Sequence, residues 1–302
     1  MEKLLFIYNQ RAGREMIKQY LADIIYIFTN EGYEVTARPT LTQGEAITCA
    51  RDCSDEYDRL VCCGGDGTLN EVVSGLLMRK ELHPKYKSLP IGYIPAGSTN
   101  DFANTLELPS DMKQAALQVL TGHPFACDIG SFNDRKFCYV AAFGAFTDVS
   151  YDTDQNLKNI FGHAAYVLEA LKRLSQIRTY DVKFQLDESV ISGEFIFGMI
   201  CNSRTFGGFK NPMSDFVSLD DGLFEIILLR QPPMETDLIE IIETLKLGNP
   251  IIDSEYYYYF KSSSITVDFS EPTPWTIDGE FESAVSHAEI RVLPKAVDII
   301  IP

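Results

Sequence analysis

Short apolar runs alternate with one-sided helical stretches from the start of the chain to about Phe125. Leu4–Tyr8 is a continuous apolar run, and Glu15–Asn30 places Ile17, Leu21, Ile24, Ile25 and Phe28 on one helical face. Tyr33–Ala37 predicts a second strand, Glu45–Arg51 a short helix and Arg59–Cys63 a buried strand. Thr68–Met78 then reads as a helix and Ile91–Ile94 as a further strand. Such alternation implies a parallel sheet covered by helices, with ligands bound beyond the carboxyl ends of its strands.

From Asp128 the pattern changes. One helix is predicted over Gly162–Gln176 and another over Glu235–Leu247, whose apolar face is Leu238, Ile241, Ile242 and Leu245. Around them lie strand-like runs at Tyr180–Leu186, Gly193–Ile200, Leu223–Leu229, Tyr256–Phe260, Ser264–Phe269, Ala288–Leu293 and Val297–Ile301. Turn signals at Asp187-Glu188, Asp221-Gly222, Pro272–Pro274 and Asp278-Gly279 separate them, as in an antiparallel sandwich or barrel. The expected division is an α/β domain over residues 1–127 and a β-rich domain over 128–295.

The chain has 302 residues, of which 45% are hydrophobic and 23% charged, enough apolar surface to fold. Its net charge of −17 repels phosphate backbones and excludes a general nucleic-acid binder. The excess is uneven, −4 over residues 1–127 and −13 over 128–302. Seven cysteines without CxxC spacing, together with no signal peptide, favour a reducing cytoplasm. The four histidines have no zinc spacing, and no apolar run is long enough to span a bilayer.

The strongest chemical signal is Gly64-Gly65-Asp66-Gly67-Thr68-Leu69-Asn70-Glu71, directly after a buried strand and opening a helix. Glycines let backbone amides approach a ligand closely, and the helix start offers free N–H groups and a positive dipole end to phosphate. A capping box of Thr68 and Glu71 would account for those two residues, but not for three glycines around an aspartate. Pro95-Ala96-Gly97-Ser98-Thr99-Asn100-Asp101-Phe102 and Asn9-Gln10-Arg11-Ala12-Gly13-Arg14 also follow strands. Three such turns at one end of one sheet would converge on a single anion site.

These blocks resemble the diacylglycerol kinase catalytic-domain family, specifically its soluble bacterial lipid kinases, relatives of sphingosine and ceramide kinases. The resemblance rests on Gly64–Val72, on Pro95–Ala103, on Leu219-Asp220-Asp221-Gly222-Leu223 and on Asp278-Gly279-Glu280, in that order along nearly the whole chain. It implies an NAD-kinase- or phosphofructokinase-like α/β domain, a β-rich sandwich, and a last strand near 296–302 returning to the first domain. It also implies an ATP- and Mg²⁺-dependent enzyme of phospholipid metabolism. By the same resemblance Asn9 to Gly13, Thr40, Gly64 to Glu71 and Ser98 would hold the nucleotide. Gln10 replaces the proline usual in the first of these turns.

Phosphoryl transfer needs an aligned hydroxyl and a group to take its proton. Glu280 best fits the position of the family's general base, with Asp278 and Asp66 as competing candidates. The resemblance also implies a structural magnesium held by Asp221 and the carbonyls of Ser218 and Leu223, with Asp128 reaching it through water. The acceptor would be a lipid at a membrane surface, in a pocket near Phe143–Phe146 and the Gly162–Gln176 helix. Docking would be peripheral, through exposed apolar side chains or a cluster such as Lys172-Arg173, and a homodimer is compatible with the sequence. The rival expectations are an NAD-kinase-like phosphotransferase and an inactive nucleotide- or lipid-binding module.

Overall fold

The computed structural model describes residues 1–144, 178–187, 189–206, 209–211, 214–234, 236–237, 240–241 and 254–302. The expected Gly162–Gln176 helix, most of the Glu235–Leu247 helix and the Lys172-Arg173 pair lie outside them.

Four strands make the parallel part of the fold: β1 (Glu2–Asn9), β2 (Tyr33–Thr40), β3 (Arg59–Gly64) and β4 (Ile91–Pro95), in the order β2-β1-β3-β4, with β2 at the half-exposed edge. Their registers align the carboxyl ends, with Asn9 opposite Thr40 and Gly64 opposite Pro95. The helices α1 (Ile17–Asn30), α2 (Glu45–Arg51), α3 (Asp66–Leu82), α4 (Asp101–Thr105) and α5 (Met112–Thr121) cover this sheet. Leu4 and Phe6 pack towards α1 through Ile24 and Phe28, while Leu5 and Ile7 face α3 through Leu69, Val72 and Val73. That is the alternation of a strand buried on both faces.

The chain then enters β5 (His123–Phe132), a strand that crosses the expected boundary at residue 127 and was not predicted. It is followed by β6 (Arg135–Phe137), β7 (Val140–Gly144), β8 (Tyr180–Gln185), β9 (Val190–Phe195), β10 (Phe197–Cys201), β11 (Thr205–Phe206) and β12 (Phe209–Lys210). Last come β13 (Phe224–Leu229), β14 (Tyr257–Ser262), β15 (Ser264–Ile277) and β16 (Glu280–Ile301). The run expected at Gly193–Ile200 is two strands, because β9 pairs with β8 whereas β10 pairs with β7 and β13. Conversely, the last two predicted strands are one, β16, with a register shift between Leu293 and Val297.

Aromatic side chains from several strands fill the core of this β-sandwich. Phe143, fully buried, packs edge-on against Tyr180 and Phe269 and lies 5.0 Å from Trp275. Phe143 is therefore part of the core, while Phe146 and the Gly162–Gln176 helix of the expected acceptor pocket lie outside the described residues. The tyrosine run forms β14 as expected, with Tyr257 and Tyr259 on one face and Tyr258 on the other. All seven cysteines are free thiols. The two halves share one continuous sheet, since β16 pairs with β15 at its start and with β4, parallel, at Ile299.

Candidate active site

Aligned strand ends place three turns side by side. The backbone of Gly13, with φ of +51°, passes so close to the Ala96 carbonyl that any side chain would collide with it. Gly65 and Gly97 likewise pack backbone to backbone, a Cβ on Gly97 falling 2.7 Å from the Gly65 Cα. Asn100 fixes the second turn, accepting from the Gly97 N–H at 2.7 Å and donating to the Gly97 carbonyl at 3.0 Å. Asn9 accepts from the Arg11 N–H at 2.9 Å and donates to the Thr68 hydroxyl at 3.3 Å, tying the first turn to the glycine loop.

Between these turns is a cavity of about 540 Å³. Asn9, Gly13, Thr40, Gly65, Gly67, Thr68, Glu71 and Ser98 line it, together with Arg11 and Glu280. A second cavity of about 410 Å³ adjoins it, sharing Gln43, Gly67, Glu71 and Glu280 and adding Asn70, Arg135 and Lys136. Gly64 and Leu69 lie behind the loop and line neither. The start of α3 faces the larger cavity with unpaired N–H groups and its positive dipole end, which suits an anion.

The three acidic candidates stand in different surroundings. Asp66 is buried and caps α4, its two carboxylate oxygens accepting from the N–H groups of Asp101 at 2.9 Å and Phe102 at 3.2 Å. Burial pushes its pKa up to about 6. Asp278, at φ +48°, accepts four hydrogen bonds, from the Asn70 amide at 2.7 Å and from the N–H groups of Cys138, Tyr139 and Val140. Burial nonetheless raises its pKa, against the pull of those donors. Glu280, at the start of β16, is the candidate that reaches both cavities. Arg135 holds it, with Nη2 3.2 Å from Glu280 Oε2 and Nη1 paired with Glu282.

Glu71 does not close a capping box on its own helix. Its carboxylate accepts from the Gly44 N–H at 2.8 Å and the Ala46 N–H at 3.2 Å, capping α2 instead. Arg135 and Gln43 escaped the sequence reading: Arg135 meets Glu280 across 145 residues of chain, and Gln43 belongs to no motif.

Of the residues expected around a structural magnesium, Asp128 and Asp221 lie at the same turn, and their carboxylates face donors. Asp128 is fully buried and accepts from the N–H groups of Gly222 at 2.6 Å and Lys295 at 2.7 Å. Asp221 accepts from the Leu223 N–H at 3.0 Å and from Lys261 Nζ at 3.2 Å. Ser218 donates its hydroxyl to Asp220 at 3.0 Å. Among the described residues, no group of three His, Cys, Asp or Glu side chains is placed to hold a metal ion. Each carboxylate oxygen of Asp221 and Asp128 thus already carries a donor, which does not suit a magnesium ion on these two side chains.

A glycine-lined cleft in an α/β lobe, joined by shared strands to a β-sandwich that turns Glu280 towards it, is an architecture consistent with a two-lobed kinase. Residues 3–132 match the diacylglycerol kinase catalytic domain, and residues 140–301 the YegS C-terminal NAD kinase beta sandwich-like domain. The chain belongs to the diacylglycerol kinase family, lipid kinases that transfer phosphate to an alcohol. It is 32% identical over 306 residues to the diacylglycerol kinase of Bacillus subtilis (strain 168), covering 100% of this chain and 97% of that one. With the diacylglycerol kinase of Staphylococcus carnosus (strain TM300) it shares 34% over 278 residues, 91% of this chain and 87% of the other. A crystal structure of a diacylglycerol kinase from Bacillus anthracis str. Sterne has the same fold, with a TM-score of 0.75 at 22% identity over 100% and 97% of the two chains.

Proposed function

We propose that the chain phosphorylates the free hydroxyl of diacylglycerol or a related glycerolipid, with ATP as its magnesium complex for the donor. The observation that supports this reading is the position of Glu280, across the glycine loop and open to both cavities. Phosphates of the nucleotide would lie on the N–H groups at the start of α3, with Asn9, Thr68 and Ser98 as hydrogen-bonding neighbours and Arg11 as a counter-charge. Glu280 would take the proton of the acceptor hydroxyl as its oxygen bonds to the γ-phosphorus and the bond to the β-phosphate oxygen breaks, releasing ADP. Asp278 and Asp66 would instead hold the walls, because their oxygens are already engaged by backbone and amide N–H groups.

No helix among the described residues is long and apolar enough to cross a membrane. Access to a lipid would then be peripheral, with exposed apolar side chains such as Met78 and Leu82 at the far end of α3 available for contact. γ-Labelled ATP with mixed micelles of diacylglycerol should give a labelled lipid. Label appearing only in NAD would favour an NAD-kinase-like enzyme, and nucleotide binding without transfer to any lipid would favour an inactive module.

A further inference from the structure

One charged cluster in the β-sandwich stands apart from the cleft. Glu225 on β13 is fully buried, and its cross-strand partner in the sheet is Lys261 on β14. The Lys261 ammonium donates to the Phe216 carbonyl at 2.8 Å and to Asp221 Oδ2 at 3.2 Å. It also lies 3.0 Å from Glu225 Oε1, close enough to pair charges though off the line of a hydrogen bond. Three oxygens from three residues thus surround one nitrogen. The segment they come from, Phe216 to Glu225, contains the turn that also donates to Asp128.

We propose that the Lys261 ammonium is the resident cation of the 216–225 turn, neutralising Asp221 and Glu225 where a divalent ion would otherwise share the Asp221 carboxylate. The register of β13 and β14 fixes the lysine opposite Glu225, so the positive charge is delivered by the sheet and needs no ion from solution. The remaining oxygens of the turn are consistent with this. Asp221 Oδ1 and both oxygens of Asp128 face N–H groups, which would repel a metal. Without the ammonium, Glu225 would be a buried carboxylate with no compensating charge beside it, a costly arrangement.

The test is thermal unfolding of the full chain without nucleotide or lipid, so its outcome is independent of the kinase reading. Wild-type protein should melt at the same temperature in EDTA and in millimolar MgCl₂. Lys261→Met should melt lower in EDTA, by roughly 5–15 °C for loss of a buried ion-pair partner, and should recover part of that in MgCl₂. A magnesium-dependent rise in the wild type that Asp221→Asn abolishes would overturn the proposal, as would a Lys261→Met protein that melts like wild type. If Lys261→Met does not fold, the Glu225→Gln/Lys261→Met double variant removes the stranded charge. Melting near wild type without response to magnesium supports the assignment; a magnesium-dependent rise in that variant refutes it.

Discussion

The Glu280 carboxylate rests against the backbone of Gly67: a Cβ on that glycine would stand 2.8 Å from Glu280 Oε1. Gly67 lies in the first turn of α3, where alanine favours the helix, and the atom it would strike is the mobile end of a side chain. Gly67→Ala should therefore fold with an unchanged or slightly higher melting temperature yet lose about tenfold or more in kcat, because Glu280 is displaced. A large fall in melting temperature would instead mean that the glycine serves the fold.

Glu280→Gln keeps the shape and removes the proton acceptor. Transfer to lipid should drop by about 10²–10⁴-fold, with nucleotide binding and melting temperature close to wild type. Retained transfer would move the general base elsewhere.

Asp278→Asn should behave differently. An asparagine amide would turn an N–H group towards donors that now meet a carboxylate, and four hydrogen bonds are at stake. Stability should fall by about 1–3 kcal/mol in urea unfolding, and activity with it. Full stability with lost activity would make Asp278 a chemical participant.

Asp66 makes a pH-dependent contribution whose sign is the reverse of the usual salt-bridged carboxylate. Its folded pKa of about 6 lies above the ordinary aspartate value, so the folded protein holds a proton that the unfolded chain has lost between pH 4 and 6. Stability should fall as pH rises through that window, by at most about 3 kcal/mol from this group. Asp66→Asn cannot titrate, so the stability of wild type relative to it should decline from pH 4 to pH 7. A constant difference between the two proteins would contradict this.

Much of the parallel lobe was legible because β1, β3 and β4 are continuous apolar runs and α1 has one apolar side. Predicted and observed ends of β3, α2 and β4 differ by no more than a residue. The sandwich was harder to read. Pro124, Asp128 and Gly130 disguise β5, yet Asp128 is satisfied there by N–H groups from Gly222 and Lys295, a pairing no local pattern announces. The proline pair at 272 and 274 resembles a turn, but a register shift between Asp268 and Thr273 absorbs it within β15. The glycine turns were visible as glycines; which carboxylate faces the cleft was not. That depends on contacts spanning most of the chain, such as Asn70 with Asp278.

β16 carries Glu280 at its first residue and lies beside β4 near its last, with β5 paired along much of its 22-residue length. Glu280 and the glycine turns thus belong to one hydrogen-bonded beam. Any displacement of Glu280 relative to those turns would therefore have to pass along β16 and through its pairing with β4 at Ile299 and Ile91.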